Sequence, residues 1–278
     1  MKNILLHLRL PFSFFLLPIY LFALSQVLHI NTAKAWWVFF ILHFLLFPAS
    51  NAFNSYYDKD EGSIGLLENP PPVSKGLLYT AWLFDLVAIF FGYFFVTNWF
   101  SIYLIAYIVV SRAYSHPLVR LKKYPIVSWL LVTLFQGALT YWAVYEAVGG
   151  SMDNAQWLPA FICTSNLLAI YPITQVYQHA EDAQRGDLTM SRVLGIRGTF
   201  LNALFWLGLS GIAFFVFFQN ILHFFLLAGV LSPLMVFFSV WMWRVWQNEK
   251  AADFKSTMIL NLLASLCLNL FFGILCFL

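Results

Sequence analysis

Charged side chains are scarce in this sequence. Asp, Glu, Lys and Arg make up only 10% of its 278 residues, whereas 62% of the residues are hydrophobic. Soluble domains carry about 25% charged residues, because their surfaces face water. The composition therefore excludes an ordinary water-soluble protein and predicts an integral membrane protein.

Cysteines and runs of basic residues are also rare. The three cysteines lie in apolar segments without the spacing of metal ligands, so we expect small buried hydrophobes and no disulfide framework. The longest basic segment, Arg120-Leu121-Lys122-Lys123, is short, and the formal net charge is only +3. Binding to nucleic acid is therefore not expected.

Long apolar segments, by contrast, are abundant. About 20 mostly apolar residues are enough to cross a bilayer as a helix. The sequence predicts an all-α, polytopic membrane protein with nine transmembrane helices in one domain covering residues 1–278. The predicted spans are residues 10–28, 36–56, 77–96, 98–114, 125–147, 156–179, 199–217, 220–243 and 256–277.

Lysine and arginine are distributed unevenly among the loops. If the N-terminus is cytoplasmic, only Lys34 of the 15 basic residues falls on the outer side. Cytoplasmic loops of membrane proteins carry such an excess of positive charge. We therefore expect an integral, multi-pass protein of a bacterial inner membrane, with the N-terminus and the loops after even-numbered spans in the cytoplasm.

A polar segment begins near the end of the second predicted span. Its residues Asn51, Asn54, Asp58 and Glu61 are spaced three, four and three residues apart. Residues at this spacing share one face of a helix, provided that the helix continues as far as Glu61. The segment therefore predicts a stripe of amides and carboxylates at the cytoplasmic end of this helix.

A second polar segment lies at the end of the sixth predicted span. Gln175, Gln178 and Asp182 are spaced three and four residues apart and are expected to share a face in the same way. Mg²⁺ prefers oxygen ligands and usually binds one or two carboxylates together with substrate phosphates. The two segments therefore predict a magnesium site, provided that they converge in the bundle.

These segments resemble the two acidic motifs of the UbiA-type intramembrane prenyltransferase superfamily, whose members have nine transmembrane helices. The first family motif reads N-D-x-x-D-x-x-x-D. The segment "NSYYDKDEG" matches it at Asn54 and Asp58 and departs from it at Ser55 and Gly62. Glu61 or Asp60 can replace the last Asp of the motif, and Glu61 has the better helical phase.

The second family motif reads D-x-x-x-D, and Gln178 replaces its first Asp whereas Asp182 matches the second. Thr189, Leu194 and Gly195 match the family signature T-L-x-x-x-L-G that follows. The segment "YSHPLVRLKKYP" also resembles a family segment, Y-[ST]-x-P-x-x-x-L-K. The sequence is therefore identified as a divergent member of this superfamily.

The resemblance implies Mg²⁺-dependent transfer of a prenyl group from an isoprenoid diphosphate to an aromatic or lipidic acceptor. It also implies that the helices surround a central, lipid-accessible cavity. It assigns metal binding to Asn54, Asp58, Glu61, Gln178 and Asp182, of which Asn54, Asp58 and Asp182 are the catalytic residues. It assigns substrate binding to Gln178, the basic residues Arg112, Arg120, Lys122 and Arg185, and the aromatic residues Tyr57, Tyr171 and Tyr177.

Three other functions remain open at this point. A terpene cyclase on the same scaffold would use the prenyl diphosphate without an acceptor. A small-molecule transporter is disfavoured, because transporter sites lie near the bilayer midplane and these segments lie at one end of their helices. A non-catalytic membrane protein would explain the departures at Ser55, Gly62 and Gln178.

Asp85 lies in the middle of the third predicted span, where a carboxylate is costly. Pairing with a neighbouring helix, protonation and a position in the cavity wall are all open for this residue. The sequence also leaves open the acceptor, the prenyl chain length and the oligomeric state.

Overall fold

The computed structural model describes residues 2–151 and 156–277, which are predominantly helical. Nine long helical segments follow one another in these residues, in the same order as the predicted spans. They are α1 (Lys2–Ser25), α2 (Thr32–Asp58), α3 (Lys75–Phe95), α4 (Asn98–Ser115), α5 (Pro125–Ala147), α6 (Trp157–Arg185), α7 (Met190–Phe218), α8 (Ile221–Gln247) and α9 (Phe254–Leu275).

Eight of the nine segments are long and apolar enough to cross a membrane, and α4 is the exception within the described part of the chain. α4 has 18 residues, and its end carries Ser111, Arg112 and Ser115. These polar side chains lower the hydropathy of an already short helix. The expected count of nine spans is therefore one too many on length and hydropathy, whereas the all-helical membrane fold is confirmed.

Two of the segments contain a wider, π-helical turn. In α2 this turn covers Ile41–Leu46 and immediately precedes Phe47 and Pro48. Proline lacks the backbone N–H that a regular helix requires and disturbs the turn before it. The wide turn in α2 therefore has a local cause in the sequence.

The wide turn in α5 covers Phe135–Leu139 and lies against α6. A Cβ atom on Gly137 would lie only 2.8 Å from Thr164 Cα, so glycine permits this close approach. The N–H of Ala138 donates to Thr164 Oγ1 at 3.0 Å. The side chain of Thr164 on α6 thus accepts the backbone N–H of Ala138 on α5.

The chain forms two compact units. In the described residues, the first unit contains 2–122 and 142–151, and the second contains 123–141 and 156–277. The first has a buried cluster around Phe53 and Leu77, and the second has one around Phe200 and Trp241. The expected single domain stays a prediction.

Many large apolar side chains remain exposed on the helices. Leu86, Phe94 and Phe225 each expose more than half of their surface, at 65%, 62% and 63%. Contiguous apolar surface is unfavourable in water, but in a bilayer these side chains contact lipid. The protein is therefore an integral, multi-pass membrane protein.

Candidate active site

The first polar segment lies at the C-terminal end of α2. The helix ends at Asp58, because Lys59 adopts a left-handed backbone conformation with a φ of 51°. Its N–H donates to the carbonyl of Ser55 at 3.0 Å, which closes the last turn. Glu61 lies beyond this end, so the prediction that it continues the helical face of Asn54 and Asp58 is wrong.

Asn54 and Asp58 lie one turn apart and contact each other directly. Asn54 Nδ2 donates to Asp58 Oδ2 at 2.6 Å and also lies 3.0 Å from Ser115 Oγ. Ser115 is the buried last residue of α4. These contacts orient the carboxylate and join the ends of α2 and α4. Ser115 was not singled out from the sequence, although it occupies the [ST] position of the family segment Y-[ST]-x-P-x-x-x-L-K.

Asn51 points to a different partner. Its Oδ1 accepts a hydrogen bond from Arg9 Nη2 at 3.2 Å, and its Nδ2 donates to the carbonyl of Leu8 at 3.4 Å. These contacts connect α2 with α1. Asn51 therefore has a structural role one turn before Asn54.

Lys122 forms an ion pair with the same carboxylate. Its Nζ lies 2.7 Å from Asp58 Oδ1, and each of the two side chains is only 9% exposed. Lys122 lies in a short 3₁₀ turn, Leu121–Lys123, directly after Arg120, whose φ of 43° is left-handed. Asp58 thus contacts an ammonium through one oxygen and an amide through the other.

Tyr57 lies beside this group. Its ring centroid is 4.7 Å from that of Phe53 and 5.2 Å from that of His116. The side chains form an aromatic cluster next to Asp58. An aromatic face at this position can stabilise a nearby positive charge.

The resemblance implied that Arg112 is available to bind a phosphate, but in the structure its donors contact groups of the protein. Its Nε donates to Asp85 Oδ2 at 3.0 Å, and its Nη2 contacts the same oxygen. The guanidinium carbon lies 4.2 Å from the centroid of the Phe53 ring, and Nη1 is 3.4 Å from the carbonyl oxygen of Ala49. The assignment of Arg112 to substrate binding is therefore corrected, because its donors face protein acceptors. Asp85 pairs with a neighbouring helix, which resolves the alternatives left open above.

The second polar segment is not the continuous α-helix that its spacing assumed. The regular part of α6 ends at Ile173, a 3₁₀ turn covers Val176–Gln178, and a last piece covers His179–Arg185. Gln175 is buried, and its Oε1 lies 3.4 Å from the backbone nitrogen of Ser191. Gln175 therefore binds the start of α7.

Asp182 is half-buried in the last piece of α6. Its Oδ2 accepts a hydrogen bond from Thr189 Oγ1 at 3.3 Å, and its backbone carbonyl accepts one from the N–H of Asp187 at 2.9 Å. Thr189 belongs to the sequence signature that follows the motif. The structure thus gives this Thr a direct contact with the motif carboxylate.

Two other predicted residues of this segment, Arg185 and Tyr177, contact other side chains. Arg185 Nη2 lies 2.5 Å from Glu181 Oε1, four residues earlier on the helix. The Tyr177 ring packs edge-on against Phe254, with centroids 5.2 Å apart. Gln178 and Tyr171 are half-buried.

A hydroxyl network lies beneath this segment and was also missed. His179 Nε2 is 2.8 Å from Ser191 Oγ, which is 3.1 Å from Thr199 Oγ1. Thr199 donates to the carbonyl of Gly195 at 2.8 Å. Gly195 has a φ of 69° and a ψ of 169°, which interrupt α7. This conformation is essentially restricted to glycine, so the glycine of the sequence signature marks a kink.

Each polar segment, taken by itself, has donor groups of the kind that bind Mg²⁺ together with a diphosphate. Within the described residues, no three His, Cys, Asp or Glu side chains form a metal cluster. Each polar segment instead provides one aspartate, Asp58 or Asp182, with an amide four residues before it. Mg²⁺ commonly binds one or two carboxylates and takes its other oxygens from substrate phosphates and water.

Comparisons with known proteins identify the family of this chain. A sequence model of the UbiA prenyltransferase family matches residues 13–266. A search of curated proteins found no match.

Several solved structures have a similar fold. A UbiA homolog from Archaeoglobus fulgidus bound to DMAPP and Mg²⁺ has a TM-score of 0.70 and 16% identity, over 99% of this chain and 100% of that chain. The same values hold for its structure bound to GPP and Mg²⁺. A structure described as digeranylgeranylglyceryl phosphate synthase has a TM-score of 0.64 and 16% identity, over 100% of this chain and 99% of that chain. At this identity the likeness concerns the fold.

Proposed function

This chain belongs to the UbiA prenyltransferase family, and we propose that it uses Mg²⁺ to transfer the prenyl group of an isoprenoid diphosphate to an aromatic or lipidic acceptor in the membrane. The observation that carries the proposal is the contact of Asp58 with both Asn54 and Lys122. A carboxylate suits the metal ion, and an ammonium suits a phosphate oxygen. The solved UbiA homolog with bound DMAPP or GPP and Mg²⁺ supports this donor class.

The proposed metal ligands are the two motif aspartates, Asp58 and Asp182, with Asn54 and Gln178 beside them. When bound, Mg²⁺ supplies Lewis-acid catalysis by neutralising the diphosphate leaving group. Glu61 lies beyond the end of the helix and is a weaker candidate on geometry. Binding of both segments to the same diphosphate stays a prediction.

Lys122 acts on the leaving group in this proposal. Its ammonium is buried beside Asp58 and stabilises the negative charge that develops on the departing diphosphate. Arg120 and Arg185 are proposed as further phosphate contacts. Because Lys122 is withdrawn from water, its attraction for phosphate is less screened than at an exposed surface.

The ring of Tyr57, beside Asp58, is proposed to stabilise the allylic cation. Such an interaction contributes about 2 kcal/mol when the site is desolvated. Tyr171 and Tyr177 are further candidates for this role. Apolar helices keep water away from the cation, because water would otherwise add to it and give an alcohol.

We place the site on the cytoplasmic side of a bacterial inner membrane. Basic residues support this placement, since only Lys34 falls on the other side when all nine helical segments are counted as crossings. The acceptor would then reach the reacting carbon from within the bilayer.

The test measures diphosphate release by purified protein with Mg²⁺ and labelled DMAPP, GPP and longer prenyl diphosphates. Each reaction is run with and without a membrane lipid extract as the source of acceptor. Asp58→Asn and Asp182→Asn are each expected to lower the rate by about 100-fold, as for the loss of a metal-site group. Undiminished release by the double variant would overturn the proposal, and release that needs no acceptor would favour a cyclase.

Asp253→Asn is the matched control for these substitutions. Asp253 Oδ1 accepts the N–H of Ser256 at 2.7 Å and caps α9. Asparagine caps a helix about as well as aspartate does, so the rate is expected to stay within twofold of the parent.

A further inference from the structure

We propose that the buried ion pair between Asp85 and Arg112 is a positioning pair, which keeps α4 in register with α2 and thereby aligns the diphosphate site. The link to catalysis rests on the function proposed above, whereas the register itself is a property of the fold. Neither residue touches the reacting groups in this proposal. Asp85 acts through Arg112, and Arg112 acts through the helix that carries it.

The pair is unusual in its location. Asp85 lies at the centre of α3 and Arg112 near the end of α4, and they are only 2% and 8% exposed. Charges at membrane depth are costly and usually have a function. Both contacts that Arg112 makes with Asp85 go to the Oδ2 atom. Asp85 Oδ1 is buried without a hydrogen-bond partner in the described part of the chain. Such a pair is a poor stabiliser, which favours a role in placement.

Arg112 connects three helices. Its Nε binds Asp85 on α3 at 3.0 Å, whereas its Nη1 reaches the carbonyl of Ala49 on α2 at 3.4 Å. The guanidinium also covers the ring of Phe53, the residue directly before Asn54. The planar guanidinium can make these contacts simultaneously, because its donors point in different fixed directions.

Two serine contacts on either side of Arg112 define the register of α2 and α4. Ser50 Oγ lies 2.6 Å from Ser111 Oγ, and Asn54 Nδ2 lies 3.0 Å from Ser115 Oγ. Both pairs are separated by 61 residues in the chain, so the two helices run parallel and in register over this turn. Arg112 lies between the two contacts on α4.

The register reaches the proposed site through the end of α4. Ser115 binds the amide of Asn54, and the chain continues seven residues to Lys122, which pairs with Asp58. A rotation or shift of α4 would move Ser115 away from Asn54 and displace Lys122. In this proposal Arg112, paired with Asp85, therefore keeps Ser115 against Asn54 and Lys122 against Asp58.

The experiment measures the register without using activity. Ser50→Cys and Ser111→Cys are combined in a protein whose native cysteines are replaced by alanine, and the rate of disulfide formation is followed. The adjacent hydroxyls in the structure lead us to expect rapid cross-linking. Asp85→Leu with Arg112→Met is then added, because an apolar pair can replace a buried ion pair without loss of stability.

The double apolar variant is expected to keep its melting temperature within a few degrees, to cross-link about tenfold more slowly and to release diphosphate at least tenfold more slowly, mainly through kcat. Asp85→Glu, which keeps the charge pair, is expected to restore most of the cross-linking. The control is Glu249→Gln, since Glu249 forms an exposed ion pair with Arg197 at 3.4 Å and should change neither rate.

A folded double variant that cross-links at the parent rate would overturn the proposal, whatever its activity. If this variant does not fold, Arg112→Lys decides the question, because it keeps the charge but lacks the second donor group. Parent-like cross-linking in folded Arg112→Lys would equally overturn it. If cross-linking slows as expected while the parent itself releases no diphosphate, the positioning role stands and the proposed function fails.

Discussion

Lys122 Nζ lies 2.7 Å from Asp58 Oδ1, in a place where both side chains are withdrawn from solvent. A carboxylate and an ammonium that the sequence separates by 64 residues thus form one unit. Lys122 balances the charge of Asp58 in the substrate-free protein. The carboxylate is therefore not an isolated negative charge, and it remains a candidate metal ligand.

Lys122→Met removes the ammonium but keeps a side chain of similar length. We expect kcat for diphosphate release to fall by about 100-fold, because a preorganised charge on the leaving group is lost. The matched control is Lys75→Met at the exposed start of α3, which should leave the rate unchanged. An unaltered kcat in a folded Lys122→Met protein would show that Lys122 has no role in the reaction.

Asn54→Ala and Ser115→Ala are expected to interact, because Ser115 contacts the same amide nitrogen that binds Asp58. Each change alone should lower kcat, Asn54→Ala by about tenfold and Ser115→Ala by less, since a neutral hydrogen bond contributes about 1 kcal/mol. In a double-mutant cycle the combined loss should be smaller than the sum of the two. Strict additivity would contradict the hydrogen-bonded chain.

Removal of Mg²⁺ is expected to abolish diphosphate release without lowering the melting temperature of the substrate-free protein. The reason is that each polar segment supplies a single aspartate, so the ion is expected to bind firmly only together with a diphosphate. Thermal melts test this in four conditions: with EDTA, with Mg²⁺, with diphosphate, and with Mg²⁺ and diphosphate together. A ligand that binds only the folded state raises its stability. A rise with Mg²⁺ alone would indicate a resident metal site.

Gly195→Ala is expected to destabilise the protein by about 1–3 kcal/mol, because a φ of 69° with a ψ of 169° is strained for any residue with a Cβ atom. Gly208→Ala in the same helix is the control. A Cβ atom there meets no other atom within 4 Å, so the melting temperature should stay the same or rise. Equal melting temperatures for the two variants would contradict the kink.

The sequence was sufficient to predict the helices and part of the site. Apolar segments predicted the helices in their order, although α4 does not qualify as a membrane span. The four-residue spacing of Asn54 and Asp58 placed them one turn apart, as observed. Glu61 was placed wrongly because the helix ends at Asp58, where the left-handed Lys59 follows. A left-handed lysine has no sequence signal comparable to that of glycine.

The pairing of Asp85 with Arg112 could not be predicted from local pattern. Each charge was recognisable in its own apolar segment, but the partners lie on different helices and meet only through packing. Ser115 was missed for a related reason, since its importance depends on the amide across from it. Local spacing predicts what lies on one helix, and contacts between helices require the fold.

The wide turn of α2 at Ile41–Leu46 has a consequence for how the chain tolerates changes in length. A π-helical turn holds one residue more than an α-helical turn, so a single deletion there leaves a regular helix whose two ends keep their facing. The same deletion between Ala49 and Phe53 would rotate Asn54 and Asp58 by about 100° relative to the start of α2, because an α-helix has 3.6 residues per turn. α2 therefore contains a spare residue upstream of its polar end and none within it.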